Sequence, residues 1–405
     1  ILQRENLAPS DLEHYGDDHE ADVVVPTRLG VRARAFKASQ RNRVESILVD
    51  RSALPEPTRL ALAGTLRFLR LSSPPPDAPA PVRTIVDAFL GPFCCLFCQW
   101  ILARARVLGL RRLDFAARDA RLLQLACARL ERDRPTPIDC RYLHVSRRAL
   151  LLAASGEGRP EELAWIRRGF EQSTLASLAG KLDLPPDRLI DAWNTRLGAR
   201  LADTGVRILS TKTDWEDFWA LTQGPLAVEI REAIKRRSDS ARSYLSTAGL
   251  NPDQSVSGFV DLGWFLTCQE AINRLLAGTQ GSPAIQGLYL ALQTNRRGPA
   301  EAGRAEALLP LPAPDLPAGS AGSALYARET LLEHIVGLAD HPTVMGYHPH
   351  GIPLYATSRT DEARMHFTKV APVLLDYVDL HGEAWSILAP DSAATREVIG
   401  SLIAS

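Results

Sequence analysis

Three short segments of this 405-residue chain place charged and hydroxyl side chains where an apolar run gives way to helix-period text. They are Arg118-Asp119, Ser146-Arg147-Arg148 and Asp261. Guanidinium groups bind phosphate bidentately, helix amino ends add backbone donors, and a carboxylate holds a sugar hydroxyl or a cation. Arg118, Asp119, Ser146, Arg147, Arg148 and Asp261 are therefore expected to line one crevice for a phosphorylated or nucleotide-like small molecule. Each also has a plainer reading as a helix cap or solvated loop residue, because strand-to-helix turns are generally polar. Near the amino end, His14-Tyr15-Gly16-Asp17-Asp18-His19-Glu20-Ala21-Asp22 sets two carboxylates five residues apart after a turn glycine. Clustered carboxylates at a strand end hold a hard divalent cation such as Mg²⁺, which makes Asp17 and Asp22 candidate metal ligands. The alternative is a simple turn with Asp22 solvated.

The elements that must position these residues follow one pattern. Leu113 to Ala117 leads into Arg118-Asp119 and the amphipathic stretch Arg121 to Leu130, and Tyr142 to Val145 leads into Ser146-Arg147-Arg148 and Ala149 to Ala154. Val256 to Val260 leads into Asp261-Leu262-Gly263-Trp264 and Thr267 to Leu276, with another strand-like run at Ile285 to Leu292. Strands alternating with helices predict an α/β fold, doubly wound on a mostly parallel sheet, whose ligands bind outside the carboxyl ends of the strands. Residues 157–246 carry helical periodicity and are expected to form a helical insertion. The proline-dense stretch Ser72 to Pro81 predicts a linker over 72–83 between domains 1–71 and 84–405, and residues 296–323 predict a long surface loop.

Composition narrows the function classes. Lys plus Arg and Asp plus Glu are both 47, so no global field gathers nucleic acid or an acidic membrane. The helix-turn-helix-like break at Leu182 to Pro186 has no basic recognition face, so DNA reading is not expected. Six cysteines, several inside apolar stretches, suit a reducing cytosol better than a disulfide scaffold. The apolar stretch Ala88 to Ala103 is shorter than the roughly 20 residues of a bilayer span, so no membrane insertion is expected. Cys94, Cys95 and Cys98 are expected in a core, and His341, His348 and His350 in a surface loop. Ser146 lacks the flanking glycines of a hydrolase nucleophile elbow.

The amino-terminal segment, with Val23-Val24-Val25-Pro26 and Leu29-Gly30 behind it, resembles the fourth motif of the haloacid dehalogenase-like (HAD) hydrolases. Arg34 to Leu48, with Asn42-Arg43 and Glu45, resembles the end of that domain in a bacterial subgroup with a long carboxy-terminal extension. The extension's landmarks follow in order: Gly91-Pro92 with Trp100, Phe115 to Asp119, Tyr142 to Ala149, Val260 to Trp264, Gly287-Leu288-Tyr289, Leu332-Glu333, His341-Pro342-Thr343 and Gly346-Tyr347. Two positions depart: Ala120 stands where the subgroup has Gly, and Leu266 where it has a small residue, which weighs against close backbone approach of a ligand. The resemblance implies a Rossmann-like domain that hydrolyses phosphate esters through an aspartyl-phosphate with Mg²⁺, Asp17 and Asp22 holding the metal. It also implies that the chain starts inside that domain. The Asp-x-Asp pair carrying the nucleophile occurs nowhere in the chain, and no lysine precedes Lys37, so the chain as given is expected to be inactive. The rival expectation is a non-catalytic module binding a nucleotide or sugar phosphate, linked to surface-polysaccharide biosynthesis. It resembles phosphoribosyltransferases in its Arg-bearing and acidic strand ends but lacks their acidic-pair loop.

Overall fold

The computed structural model describes residues 2–37, 40–52, 54–72, 79–167, 173–198, 204–250, 257–277, 285–293, 304–311, 321–357, 360–390 and 392–404. It divides into two compact units. Unit 1 comprises Ile1–Phe97, Leu316–Glu329 and Pro372–Ser405, and unit 2 comprises Cys98–Asp315 and Thr330–Ala371. The division falls inside the helix Gly91–Val107 rather than in the proline-dense segment, of which residues 73–78 lie outside the described residues.

Unit 1 opens with two short parallel strands, β1 (Glu13–Gly16) and β2 (Arg32–Ala35). The helix Arg43–Arg51 starts on a reciprocal cap, in which Asn42 Oδ1 accepts the Glu45 amide at 2.8 Å and Glu45 Oε2 accepts the Asn42 amide at 3.0 Å. Glu45 is fully buried and paired with Arg70, on the helix Glu56–Ser72, which donates to it at 3.0 Å.

Unit 2 is built on five strands: β3 (Arg112–Ala116), β4 (Asp139–Leu143), β5 (Gly258–Asp261), β6 (Gln286–Gln293) and β7 (Ala305–Leu311). All four pairings are parallel and the order is β4-β3-β5-β6-β7. The α/β class and parallel sheet therefore agree with the reading of the sequence. The helix Arg121–Glu131 joins β3 to β4, and Thr267–Leu276 joins β5 to β6. β3 and β5 are covered on both faces: β5 is buried at every residue and β3 at all but Arg112, so the one acidic residue inside β3, Asp114, is buried with Arg112 as its partner. Chain order reverses beside β3: the next strand lies on one side of it, and β5 lies on the other. An antiparallel ribbon, β8 (Val344–Tyr347) and β9 (Pro353–Tyr355), completes the unit.

The stretch 157–246 forms helices at Leu175–Lys181, Pro186–Leu197, Lys212–Gln223 and Ala227–Thr247. They enclose their own core of Leu178, Leu189, Trp193, Phe218 and Ile230, so the insertion is stabilised by its own apolar burial. The expected loop over 296–323 is corrected in part, since β7 lies within it and pairs with β6. Its Leu308 and Leu309 are buried, which a surface loop does not offer. The helical segment Ala80–Val107 is also longer than the apolar run suggested. It is long and apolar enough to cross a membrane, yet 72% of its most apolar window is buried inside the protein, as in the core helix of a soluble protein. Cys94, Cys95, Cys98 and Cys127 are buried, and burial, with Cys140 and Cys98 alongside, pushes the Cys127 thiol well above its usual range.

Arg112 anchors the insertion to the sheet. Its guanidinium donates to buried Asp114 at 2.7 Å and to the carbonyls of Ala248 and Gly249, each at 2.7 Å. Removing one member of a buried pair strands the other, so Arg112→Ala is expected to cost about 3–5 kcal/mol of unfolding free energy in urea titration. Arg141→Ala, which breaks the exposed pair with Asp139, is expected to cost under about 1 kcal/mol.

Candidate functional site

β3 and β5 are neighbours and run parallel, so the turns leaving them open at the same end of the sheet. Arg118, on the turn after β3, has φ +68°, a left-handed conformation unusual for a residue with a Cβ. Its amide donates to Tyr142 Oη at 2.8 Å and its guanidinium to Thr343 Oγ1 at 2.5 Å. Leu266, after β5, is also left-handed at φ +55°. Ala120 sits at φ −116° and has no need of glycine. Backbone held in sparsely populated regions costs roughly 1–3 kcal/mol per residue and clusters at functional sites.

Three carboxylates meet at this end of the sheet. Asp261 closes β5, is 9% exposed, and accepts the Leu262 amide at 2.8 Å. Glu333, in the last turn of the helix Ala321–Val336, accepts the Trp264 indole N–H at 2.8 Å. Asp119 lies against the end of the same helix, where a Cβ on Gly337 would stand 3.0 Å from Asp119 Oδ1. The absence of a side chain at Gly337 lets the two elements approach.

Burial and then the Glu333 carboxylate push Asp119 up to about 6, against the pull of Arg118 and Arg147. Burial, followed by the Asp119 carboxylate, holds Asp261 well above the usual range. The Cys268 thiol is raised by burial and then by Asp261, so it is protonated and poorly nucleophilic. Arg147 bears on both Asp119 and Asp261, yet it is exposed and has no hydrogen bond or ion pair among the described residues. The site combines a free guanidinium, a second one tethered by a single hydroxyl, and carboxylates that accept hydroxyl hydrogens.

The structure thus brings together Arg118, Asp119, Arg147 and Asp261. It does not bring Ser146 or Arg148 to them. The Ser146 hydroxyl donates to the Val344 carbonyl at 2.5 Å and accepts the Ala149 amide at 3.0 Å, capping the short helix Arg147–Leu150. Its one hydrogen is committed to Val344, and the observed arrangement is a helix cap. Arg148 turns to the insertion, its guanidinium 3.4 Å from where a Cβ on Gly180 would stand. Glu333 was missed as a site residue. Its only signal was its place as a Leu-Glu landmark far from the three strand ends.

At the amino end, Asp22 folds back over the carboxyl end of β1, accepting from His14 Nε2 and from the Asp18 amide, each at 3.0 Å. The His14 bond is the main cause of its lowered pKa. A Cβ on Gly16 would overlap this carboxylate, at 2.1 Å from its carbon, so only glycine fits there. Asp17 instead faces Arg67 at 3.8 Å and is more than half exposed. Among the described residues no group of three or more His, Cys, Asp or Glu is placed to hold a metal ion. Asp17 and Asp22 alone fall short of the donor set a divalent cation takes. Compared with protein-family models and with curated proteins, the chain matches none.

A cavity of about 880 Å³ elsewhere in unit 2 is lined by Glu157, Glu161, Arg231, Lys235, Asp239 and Arg274 among others. Its charges are balanced, whereas Asp119 and Arg147 make no hydrogen bond or ion pair among the described residues, so the end of the sheet beside β3 is the stronger candidate.

Because the pKa of Asp119 is raised in the folded state, its ionisation opposes folding. The stability this group supplies is present below the unfolded value near 3.8 and is lost as pH rises through about 6. Asp119→Asn is therefore expected to raise the melting temperature at pH 7.5, with the gain vanishing near pH 4; calorimetry across that range checks it.

Proposed function

We propose that unit 2 binds a phosphorylated sugar or nucleotide in the crevice between the carboxyl ends of β3 and β5. The observation that carries this reading is the convergence of Arg118, Asp119, Arg147, Asp261 and Glu333 at the point where strand order reverses. At such a point the connections leave in opposite directions and open a crevice in which α/β proteins bind ligands. Arg147 supplies an uncommitted cation for phosphate, and Arg118 reaches the same volume if it releases Thr343. Asp119 and Glu333 accept from sugar hydroxyls.

Calorimetric titration with ribose 5-phosphate tests this. Arg147→Ala is expected to weaken binding by about 1.5–3 kcal/mol, the scale of a hydrogen bond to a charged group. An exposed residue without partners contributes little to folding, so its melting temperature should stay within about 2 °C of the parent. A large loss of stability with unchanged binding, or no binding by the parent chain, overturns the reading.

A second reading rests on Asp22 and Gly16. A carboxylate folded onto a glycine at the carboxyl end of a parallel strand supports unit 1 as the closing part of a HAD-like phosphatase domain, with Asp22 and Asp17 contributing to its Mg²⁺ site once the upstream nucleophile strand is present. The chain of 405 residues should then show no Mg²⁺-dependent hydrolysis of p-nitrophenyl phosphate. Hydrolysis that Asp17→Asn abolishes would place a nucleophile within the chain and contradict this.

A further inference from the structure

We infer that the ligand of this crevice is a nucleotide whose base lies on an aromatic platform formed by His144, His341 and Tyr355, next to Arg118. The inference rests on the crevice reading above and names the ligand class. Four rings, Tyr142, His144, His341 and Tyr355, form one cluster in unit 2. His144 and His341 stand 5.0 Å apart, His341 and Tyr355 5.0 Å, and Tyr142 and His144 4.9 Å, between centroids, with planes inclined by 52°, 49° and 79°, so the platform is a set of walls and a base stacks on one ring with the others at its edge. Tyr355 is 37% exposed and the other three are half-buried, so the cluster has an open side.

The platform is held rigidly. The His144 amide donates to Tyr244 Oη at 2.6 Å, and Tyr347 Oη donates to the His144 carbonyl at 3.0 Å. Those two buried tyrosines stack on each other with centroids 4.5 Å apart and planes 8° from parallel. His341 Nδ1 donates to the Pro342 carbonyl at 2.7 Å, which fixes its tautomer and leaves Nε2 to accept from Tyr142 Oη at 2.7 Å. Tyr142 Oη in turn accepts the Arg118 amide, so the aromatic cluster begins one hydrogen bond from the phosphate-facing turn. His144 Nδ1 pairs with Tyr355 Oη at 3.0 Å, while its Nε2 has no partner among the described residues and stays available to a base edge.

The guanidinium set over these rings, that of Arg121 at 4.6 Å from the Tyr142 centroid, is paired with Asp340 at 3.2 Å, so its charge is balanced at the cluster. Burial lowers both imidazoles, His144 to about 4, so the platform is neutral at pH 7, and the cations Arg118 and Arg147 lie at the crevice. A ligand with an anionic end and a flat, uncharged heterocyclic end matches that division. A simple sugar phosphate uses only the first half. Stacking on aromatic rings tolerates any base and adds affinity without a further charge.

Titration of the parent chain with ribose 5-phosphate, AMP and UMP tests the inference. At least one nucleotide is expected to bind about 10-fold more tightly than ribose 5-phosphate. Tyr355→Ala and His144→Ala should remove that margin while leaving ribose 5-phosphate binding unchanged. Tyr355→Phe, which keeps the ring, should retain most of it and guards against a folding defect. Equal binding of all three compounds overturns the platform and leaves the crevice standing. Failure of all three to bind overturns the crevice reading itself, and the platform with it.

Discussion

Like charge is brought together under cover in unit 2: Asp119, Asp261 and Glu333 crowd one end of a parallel sheet, two of them with pKa values held above the ordinary carboxylate range. Such an arrangement costs free energy that the rest of the unit must offset. The offset comes from burial of Leu143, Leu150, Leu245, Phe259, Ile272 and Tyr289 around the strands, and from a second core inside the helical insertion. Nothing in packing alone requires acidic side chains there, since apolar residues of similar size would fill the same space at lower cost. The left-handed Arg118 and Leu266 add backbone cost at the same sheet end. Backbone and electrostatic cost of this kind clusters at functional sites.

The topology explains why the cost falls where it does. With β3 central to the reversal, helices leave β3 and β5 toward opposite sides of the order, and the turns between them are free to carry polar groups. Helix Ala321–Val336 brings Glu333 to that opening, and its end at Gly337 accommodates Asp119. The segment before β8 brings Thr343 to Arg118 and His341 to Tyr142. Residues 199 and 225 positions apart are thus tied by side-chain hydrogen bonds at one sheet end.

Much of this was legible in the sequence. The strands β3, β4, β5 and β6 are legible because each carries a short apolar stretch that gives way to a polar exit turn and then to helical periodicity, although β3 contains Arg112 and Asp114 and β4 alternates between covered and exposed residues. That rule singles out Arg118, Asp119, Arg147 and Asp261, which the fold places near one another. β7 was not, because Pro310 and the surrounding Pro, Gly and Ala conceal a strand whose pairing is supplied by β6. Ser146 was misjudged, since a serine at a strand end serves equally as a helix cap, and only the partner Val344, 198 residues away, decides between the two. Glu333 and the aromatic ring set depend on contacts that no local window contains. Asp17 and Asp22 stood out by spacing, but spacing does not show that Asp22 turns inward over Gly16 while Asp17 faces Arg67.

The central claim is that the reversal beside β3 makes a binding crevice for a phosphorylated ligand. A crystal structure of the chain soaked with the tightest-binding of the phosphorylated probes tests it most directly. The account predicts phosphate density within hydrogen-bonding distance of the Arg147 guanidinium, beside Arg118, and at the carboxyl ends of β3 and β5. Density for the same compound in the cavity between Lys235 and Arg274, with the crevice empty, would contradict it.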